Sequence, residues 1–411
     1  MIKILHITPH LGGGVGTVLL NWLTYDKSNI HSIITLDYAN KKGIDICKEN
    51  NINLFSQIST KDILAKIKSS DITLIHFWNH PLLYDFLIRN PLPESRIIIW
   101  AHVSGAKPPY VFNEKLLDMC DKFVLTTPAS YNYITSNPKL ACIFSTGGID
   151  RFKDLKPEPH DGYNVGYIGT VDYAKMHPQY IETLSKTSAD KIFIVGGDNE
   201  KEICRNLDER FVVTGKLQNI IPVLKQFDVF AYLLNPNHYG TAEQVLQEAM
   251  SAGVVPVVLN NPCETQIIKH LETGLVAKNL AEYIDYINLL KQNLNLRKKL
   301  SDNAKRYAIE NFSLDNLSTE WNKLFDDVIT MDKSQKNWPS QSKHFTSYDI
   351  FMESLGEYSE IFKNKTKSEL KYILNQPEWN SKNKGTPFQY YKFLAGEELK
   401  NLIDNQQDKT T

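Results

Sequence analysis

The stretch FAYLLNPNHYGTAEQVLQEAMSAGVVPVVL, Phe230 to Leu259, decides the fold class of this chain. It opens with an apolar run that predicts a strand, and Asn235 to Gly240 contain the Asn, Pro and Gly typical of a loop. Helix-forming residues follow from Ala242 to Ala252, and Gly253 is placed to end that helix. The apolar run Val254 to Leu259 predicts a parallel strand buried on both faces. The stretch therefore predicts a βαβ unit of an α/β protein.

The loop before this helix is the predicted ligand site. Open α/β sheets bind ligands at the carboxyl ends of their strands, and the free N–H groups at the start of a helix favour phosphate. Glu243 and Glu248 are five residues apart in the predicted helix, so about 500° of rotation separates them. They are expected to lie on different faces and to have different roles.

The segment EAMSAGVVPVV, with an acidic residue shortly upstream, resembles the donor-binding signature of retaining glycosyltransferases of family 4. Those enzymes have the GT-B fold, in which two Rossmann-like domains face a central cleft. Their signature is Glu, seven residues, Glu, and the resemblance implies that Glu248, the second Glu, binds the ribose hydroxyls of a sugar nucleotide. Gly240 stands where the first Glu is expected, so the contact to the donor sugar is either moved to Glu243 or lost. Thr241 and Ala242 complete the implied donor-binding loop.

A structural interpretation of these glutamates stays open at this point. Glutamates in helices are mostly solvated side chains without a binding role. Under that interpretation, Glu243 and Glu248 would be surface residues.

Composition sets the broad class. The 411 residues suffice for two domains and an extension, and 46 basic against 47 acidic residues give no overall charge that favours nucleic acid. The five cysteines are odd in number and widely spaced, which is typical of reduced thiols in the cytoplasm and predicts no metal site. The start MIKILHIT is too short for a signal peptide, and no apolar run approaches the roughly 18 residues of a membrane span. We expect a cytoplasmic protein, with peripheral contact at the inner membrane face left open.

A glycine-rich loop, PHLGGGVG, follows the predicted first strand Ile2 to Thr8. Gly13 and Gly14 allow the backbone to approach a ligand closely and to direct its N–H groups at it. A dinucleotide-binding GxGxxG motif does not fit, because positions 12, 14 and 17 are Gly, Gly and Thr. The loop resembles the amino-terminal glycine loop of GT-B transferases, which implies that Gly13 and Gly14 lie beside the donor.

Histidines occur where strands of the first domain are predicted to end. His102 follows the predicted strand Arg96 to Trp100, and this position makes it the candidate to contact a sugar hydroxyl or the acceptor. In the resembling family, a histidine at this place contacts the donor sugar. His76 and His80 can equally be buried, hydrogen-bonded side chains, and a metal site there is disfavoured because no third ligand is near in sequence.

Lys175 is the predicted phosphate-binding residue. It lies six residues beyond Gly169, which ends the predicted strand Tyr163 to Ile168. Its charge would offset the charge that builds on a departing nucleoside diphosphate. The resembling family has Arg, four residues, Lys; Lys175 matches the Lys, and Thr170 replaces the Arg. A surface lysine is the structural alternative.

The resemblance implies further binding residues and the domain boundaries. STGGIDRF, residues 145–152, resembles the segment that closes the first domain of the family. We therefore predict an acceptor-side domain over 1–152, a donor-nucleotide domain over 162–330 whose last helix crosses back from about Leu314, and an extension over 344–411. Two residues are expected near the nucleotide base, Lys216 and Leu217.

The carboxyl-terminal extension contains too many aromatic anchors for a solvated tail. It follows a predicted linker over 332–343. Helices are predicted near Tyr348 to Phe362 and Ser368 to Leu374. A loop over 375–394, NQPEWNSKNKGTPFQYYKFL, has basic and aromatic residues that could stack on sugar or bind an anionic acceptor. The alternative, which we favour, is that the extension packs on the main body.

The combined prediction is a retaining glycosyltransferase that uses a UDP- or GDP-linked sugar and a glycan, lipid-linked or protein acceptor. Lys175, Glu243 and His102 are the predicted catalytic residues. No metal is expected if Lys175 and the helix start near Thr241 neutralise the diphosphate, and the resemblance implies that the leaving phosphate takes the acceptor proton. A GT-B epimerase or phosphorylase remains an alternative. So does a non-catalytic glycan-binding protein, because of Thr170 and Gly240.

Overall fold

The computed structural model describes residues 1–205, 207–340, 342, 344–380 and 385–404. The chain packs as two compact units. The first comprises Met1–Gly147 with Leu317–Thr411, and the second comprises Gly148–Asn316. Residues 317–330, which the sequence analysis placed in the donor domain, thus pack with the first unit. This is the behaviour expected of a last helix that crosses back.

A parallel sheet forms the centre of the first unit, with the strand order β3-β2-β1-β4-β6-β7-β8. Strand β4 is buried at all of its positions, as expected when helices cover both faces of a parallel sheet. The strands of this part are β1 Lys3–Thr8, β2 Ile30–Thr35, β3 Asn53–Ser56, β4 Ile72–Phe77, β5 Leu92–Ser95, β6 Ile97–Ala101, β7 Lys122–Leu125 and β8 Leu140–Cys142. Its helices are α1 Gly13–Tyr25, α2 Lys41–Glu49, α3 Thr60–Ser69 and α4 Pro81–Arg89, with 3₁₀ turns at Glu114–Leu117 and Pro128–Tyr133.

The second unit has its own parallel sheet, in the order β11-β10-β9-β12-β13-β14. Its strands are β9 Asn164–Ile168, β10 Lys191–Val195, β11 Phe211–Gly215, β12 Val229–Tyr232, β13 Val255–Leu259 and β14 Leu275–Ala277. Its helices are α5 Tyr180–Ser185, α6 Glu200–Ile203, α7 Ile221–Leu224, α8 Gln244–Ser251, α9 Leu280–Gln292 and α10 Leu294–Asn311. Strands β12 and β13 pair in parallel, so the predicted βαβ unit is confirmed.

Helix α8 begins later than predicted. Glu243 is its N-cap and has left-handed backbone angles, φ 37° and ψ 65°, so the helix starts at Gln244 rather than at Ala242. The expectation that Glu243 and Glu248 occupy two faces of one helix is therefore wrong, because Glu243 precedes the helix. The sequence also predicts a helix from Asn261 to Leu271 and one from Glu200 to Asn206. The first is only a 3₁₀ turn, Glu264–Gln266, and the second, α6, ends at Ile203. Asn206, the predicted end of α6, lies outside the described residues.

The remaining elements belong mostly to the first unit. Strand β15, Ser334–Lys336, pairs antiparallel with β5, so the predicted linker over 332–343 contains a strand; its residues 341 and 343 lie outside the described part. The helices are α11 Leu314–Ile329, α12 Ser347–Leu355, α13 Lys367–Leu374, α14 Pro377–Asn380, α15 Pro387–Leu394 and α16 Glu397–Asp404, with a 3₁₀ turn at Gly356–Ile361.

Aromatic residues of the extension pack against one another, and the Phe393 ring contacts the His80 ring of the sheet domain. The Phe351 ring contacts the rings of Phe362 and Tyr390, and Phe362 also contacts Trp379. Trp379 and Tyr390 are only 4% and 0% exposed, so neither offers a face to a sugar. The predicted loop over 375–394 is wrong where the structure describes it, because α14 and α15 occupy it; residues 381–384 lie outside the described part.

Side-chain contacts fix the extension to the sheet domain. Asn113 donates a 2.6 Å hydrogen bond to the carbonyl of Glu353, and the Lys115 Nζ atom lies 2.8 Å from the carboxylate of the same residue. The Tyr110 hydroxyl donates to the carbonyl of Glu378. Within the described part of the chain, no helix is both long enough and apolar enough to cross a membrane.

Candidate functional site

A buried ion pair occupies the loop before α8 in the second unit. The Lys175 Nζ atom lies 2.9 Å from Oε2 of Glu243, whose side chain is 1% exposed. The Tyr232 hydroxyl, at the end of β12, donates to the same oxygen. Burial opposes ionisation of Glu243, but Lys175 and His238 hold the pKa of its carboxyl below the usual value. Glu243 is therefore a carboxylate.

Lys175 is held by the loops that follow β9 and β12. Its carbonyl accepts a 2.8 Å hydrogen bond from the backbone N–H of Asn235. Its ammonium lies 5.9 Å from the ring centre of Tyr232 and 5.5 Å from that of Tyr239. Burial alone would lower the pKa of Lys175, but Glu243 raises it above the usual value. Lys175 is thus a fixed cation, and an ammonium has three N–H donors.

Gly240 leaves the space that the Glu243 carboxylate occupies. A Cβ atom at residue 240 would lie 1.6 Å from Oε1 of Glu243 and 2.9 Å from Nδ1 of His238. No side chain fits there unless the carboxylate moves. A Glu at position 240 would therefore collide with the carboxylate of Glu243 in its present position.

One oxygen of Glu243 has no hydrogen-bond partner among the described residues. Oε1 is buried, and Nδ1 of the neighbouring His238 ring is 3.7 Å away, which is beyond hydrogen-bond distance. Buried carboxylate oxygens are normally hydrogen-bonded, so this one has capacity to accept a bond from a ligand. The left-handed backbone of Glu243 also carries strain of order 1 kcal/mol, as is common at functional sites.

A chain of hydrogen bonds holds this loop in place through His238, Glu264 and Asn261. The backbone N–H of Gly240 donates to His238 Nδ1 at 3.0 Å, so Nε2 carries the ring hydrogen and donates to Glu264 at 3.1 Å. The other oxygen of Glu264 accepts from Asn261. Tyr232 and His238 were not predicted from the sequence as site residues. The position of His238, two residues before Gly240, was a signal that could have identified it.

Glu248 lies separately on α8. It is 8% exposed, and its Oε1 accepts a 3.4 Å hydrogen bond from Gln244. Burial raises the pKa of Glu248 to about 7, although Arg151 and Gln244 act in the opposite direction. Glu248 is therefore a buried carboxyl group with little to stabilise its charge.

The remaining predicted donor-binding residues of the second unit fall into two groups. Thr170 lies in the tight loop after β9, where its carbonyl accepts from the Tyr167 hydroxyl at 2.7 Å and its Oγ1 from Tyr239 at 3.4 Å. Gly169, Thr241 and Ala242 also line loops at this end of the sheet. In contrast, Lys216 and Leu217 are exposed after β11, the edge strand, and no hydrogen bond or ion pair among the described residues links them to Glu243.

The first unit positions the other predicted residues. Helix α1 begins at Gly13, and a Cβ atom at Gly13 or Gly14 would meet nothing within 4 Å, so the backbone there is open to a ligand. His102 follows β6, and its ring accepts or donates a 3.0 Å hydrogen bond with His76. Burial lowers the pKa of His102 to about 3.

His76 and His80 are both buried and hydrogen-bonded, as their structural alternative expected. The His80 ring caps α4 by accepting from the backbone N–H of Leu82. In the described ranges, no group of three or more His, Cys, Asp or Glu side chains is arranged to hold a metal ion.

Comparison with known proteins finds sequence relatives of the second unit. Residues 149–307 match the family model "Glycosyl transferases group 1". A Dictyostelium discoideum GDP-Man:Man(3)GlcNAc(2)-PP-Dol alpha-1,2-mannosyltransferase is 26% identical over 142 residues, 30% of this chain. That match spans only 28% of the relative's length.

Solved structures share the whole two-unit architecture. A glycosyltransferase from Rickettsia africae has a TM-score of 0.65 at 16% identity, covering 80% of this chain and 99% of its own. The Anabaena protein HepE in complex with UDP has a TM-score of 0.67 at 13% identity, covering 79% and 100% respectively. The chain therefore has the GT-B fold, and residues 149–307 of its second unit are similar to a glycosyl transferases group 1 domain.

Proposed function

We propose that this protein is a retaining glycosyltransferase of family 4, which transfers a sugar from a nucleotide donor to an acceptor hydroxyl in glycan biosynthesis. The observation that carries the proposal is the buried Lys175–Glu243 pair at the carboxyl end of the second sheet, with one carboxylate oxygen unpartnered. The Lys175 ammonium can bind a phosphate, and Oε1 of Glu243 can accept a hydrogen bond from a hydroxyl group. The pair therefore suits a ligand in which a phosphate is joined to a polyhydroxylated group. A sugar nucleotide is such a ligand.

Lys175 is proposed to bind the diphosphate. One of its donors is used by Glu243, and the other two are available to phosphate oxygens. A charge-assisted contact of this kind stabilises the diphosphate most as it departs and gains charge. With Thr170 at the usual Arg position, Lys175 is the main cation of this proposal, and no metal is invoked.

Glu243 is proposed to take the role that the family assigns to the first Glu of its signature. Its Oε1 can accept a hydrogen bond from a hydroxyl of the donor sugar, and Gly240 provides the space that this placement needs. The Tyr232 hydroxyl and Lys175 fix the carboxylate by bonding its other oxygen. The contact is thus moved by three positions along the chain rather than lost.

Glu248 is proposed to bind the ribose. Its carboxyl group is buried with a single weak side-chain donor, so ribose hydroxyls would improve its hydrogen bonding. The similar proteins differ in the nucleotide that their names contain, GDP for the mannosyltransferase and UDP for HepE. We propose a UDP- or GDP-linked sugar on this basis, with a glycan, lipid-linked or protein acceptor, and chemistry in the cytoplasm, where the five free cysteines stay reduced.

A thermal-shift screen of nucleoside diphosphates and their sugars tests the proposal. A ligand at about 100 times its dissociation constant should stabilise the fold by roughly 2.7 kcal/mol. The stabilising sugar nucleotide is then incubated with candidate acceptors, and the anomeric configuration of the product is read by NMR. Retention at the anomeric carbon supports the proposal.

Other products would identify the alternatives. An epimerised nucleotide sugar or a sugar phosphate would indicate an epimerase or a phosphorylase. Tight binding with neither hydrolysis nor transfer would indicate a non-catalytic binding protein. No stabilisation by any sugar nucleotide would contradict the proposal as a whole.

A further inference from the structure

Four histidines of the first unit form a diagonal row across neighbouring strands. In the sheet order β2-β1-β4-β6, they are His31, His6, His76 and, directly after β6, His102. Going from His31 to His102, each histidine lies two residues beyond the residue that pairs with the preceding histidine. These paired residues are Ile4 for His31, Leu74 for His6 and Trp100 for His76. A step of two keeps all four side chains on one face of the sheet. We call them the histidine row.

Consecutive rings in the histidine row are hydrogen-bonded. His31 Nδ1 lies 3.0 Å from His6 Nε2, His6 Nδ1 lies 3.1 Å from His76 Nε2, and His76 Nδ1 lies 3.0 Å from His102 Nε2. At the inner end, His31 Nε2 lies 3.0 Å from Oδ2 of Asp26. Three of the four rings are buried, and only His102 keeps partial exposure. The row thus connects a buried carboxyl group with a partly exposed ring.

Asp26 fixes the direction of these hydrogen bonds. Burial opposes its ionisation, but hydrogen bonds from His31, Asn29 and the backbone of Ser28 lower the pKa of Asp26 to about 2. At neutral pH it is a carboxylate, which can only accept hydrogen bonds. His31 Nε2 must therefore carry a hydrogen and donate it.

The direction passes from ring to ring, because a neutral imidazole has one donor and one acceptor nitrogen. When the His31 ring is neutral and Nε2 is its donor, its Nδ1 accepts from Nε2 of His6. The same assignment follows for His76 and then for His102, so that Nε2 carries the hydrogen in all four rings. Burial lowers the pKa values of His6, His76 and His102, which keeps these rings neutral.

We propose that Asp26 acts through the histidine row to hold Nδ1 of His102 as a hydrogen-bond acceptor, which selects a ligand group that donates, such as a sugar hydroxyl. Asp26, His31, His6 and His76 are then positioning residues, and only His102 contacts the ligand. A phosphate or carbonyl oxygen, which can only accept, would be rejected at this nitrogen. The proposal rests on the proposed function for the identity of the ligand, but not for the hydrogen-bond direction.

Tryptophan rings shield the row from water. Trp22 meets the His6 ring edge-on at 5.6 Å between centres, and Trp100 lies 4.5 Å from the His102 ring. Both indoles are 0% exposed. A water molecule could donate to or accept from a ring nitrogen, and the rings would then not be limited to one direction of hydrogen bonding. Exclusion of water therefore preserves the direction of the hydrogen bonds along the row.

Imidazole ¹⁵N NMR tests the proposal on the intact protein. Histidine-labelled protein at neutral pH, assigned through single His→Gln variants, should show a protonated Nε2 and an unprotonated Nδ1 in His102. In Asp26→Asn, the His102 ring, three rings away, should no longer show this one tautomer. The matched control is Asp45→Asn, which removes an exposed carboxylate of the same unit and should leave the pattern unchanged.

A hydrogen on Nδ1 of His102 in the wild-type protein would overturn the proposal, and so would an unchanged His102 pattern in folded Asp26→Asn. The wild-type spectrum decides the question even if Asp26→Asn fails to fold. Under the proposed function, Asp26→Asn and His102→Gln should each lower kcat/KM about tenfold, which equals about 1.4 kcal/mol, and the double variant should lose no more than either single variant. The predicted tautomer without any sugar transfer would refute the function and leave this inference intact.

Discussion

Glu248 combines deep burial with few hydrogen-bond partners. Because burial raises the pKa of Glu248 to about 7, the folded protein holds this proton more tightly than the unfolded chain, where the pKa is about 4.3. Its contribution to stability is therefore lost as pH rises from about 4.3 to about 7. Above that range, the ligand-free protein retains a buried charge that costs free energy.

Glu248→Gln should therefore stabilise the ligand-free protein at about pH 8, by about 1 to 3 kcal/mol. The gain should shrink toward about pH 5, where the native carboxyl is already protonated. Thermal unfolding at the two pH values measures it. A variant that is less stable than wild type at about pH 8 would show that the carboxylate is stabilised by contacts that we have not identified.

Lys175 cannot be removed without affecting Glu243. Lys175→Met should destabilise the fold by about 3 kcal/mol, because it leaves the Glu243 carboxylate buried and unpaired. Lys175→Met combined with Glu243→Gln should recover most of the stability and still fail in transfer, since both proposed donor contacts are gone. Chemical denaturation and a transfer assay measure the two effects. Equal stabilities of the single and double variants would contradict the proposed coupling.

Sequence patterns predicted the residues of the candidate donor site more readily than the contacts between them. The Glu248 signature and the glycine turn before Lys175 are local patterns. The pairing of Lys175 with Glu243 joins loops 68 positions apart, and helical spacing misled the placement of Glu243, because its left-handed backbone precedes α8. The histidine row was missed for a related reason: its members are regularly placed only after the strand order is known.

The loop between β12 and α8 depends on Gly240. Gly240→Ala should displace the Glu243 carboxylate, lower stability by about 1 to 3 kcal/mol and impair transfer as severely as Glu243→Gln does. Gly197→Ala is the matched control, since its Cβ would make only ordinary contacts at 3.5 Å. Denaturation and transfer rates of both variants decide the matter. Wild-type activity in Gly240→Ala would mean that the Glu243 carboxylate can occupy another position without loss of function.

Elements with a clear local sequence pattern were predicted correctly, whereas elements that depend on tertiary packing were not. Strands β9, β12 and β13 are continuous apolar runs and were predicted within about two residues. Helices α14 and α15 were predicted as a loop. Their buried faces depend on packing against Phe351 and Phe362, which no local pattern shows.

At the scale of the whole molecule, the extension completes the core of the first unit. Its buried residues include Phe351, Leu355 and Tyr390, each 0% exposed. Removal of residues 340–411 would expose the surface of α4 and of the 3₁₀ turn at Glu114–Leu117 that the extension covers. We therefore expect the truncated protein to aggregate or melt early, and not to persist as a folded donor-binding protein.

Point variants test this role without a truncation. Phe351→Ala should cost about 3 to 5 kcal/mol, because it creates a cavity among buried rings. Tyr372→Ala should stay within about 0.5 kcal/mol, because Tyr372 is 71% exposed. Melting curves of both variants and of the truncation provide the comparison. A truncated protein that is soluble and melts like wild type would refute the structural role of the extension.

The central claim is that the second unit binds the nucleoside diphosphate of a sugar donor, and calorimetric titration with UDP and GDP tests it most directly. We predict that one of them binds at one site per chain, that Glu248→Ala weakens this binding about 10- to 100-fold, and that Glu243→Gln largely spares it. Glu310→Ala, which removes an exposed carboxylate of the same unit, should bind like wild type. Binding of neither diphosphate, or undiminished binding by Glu248→Ala, would contradict the account.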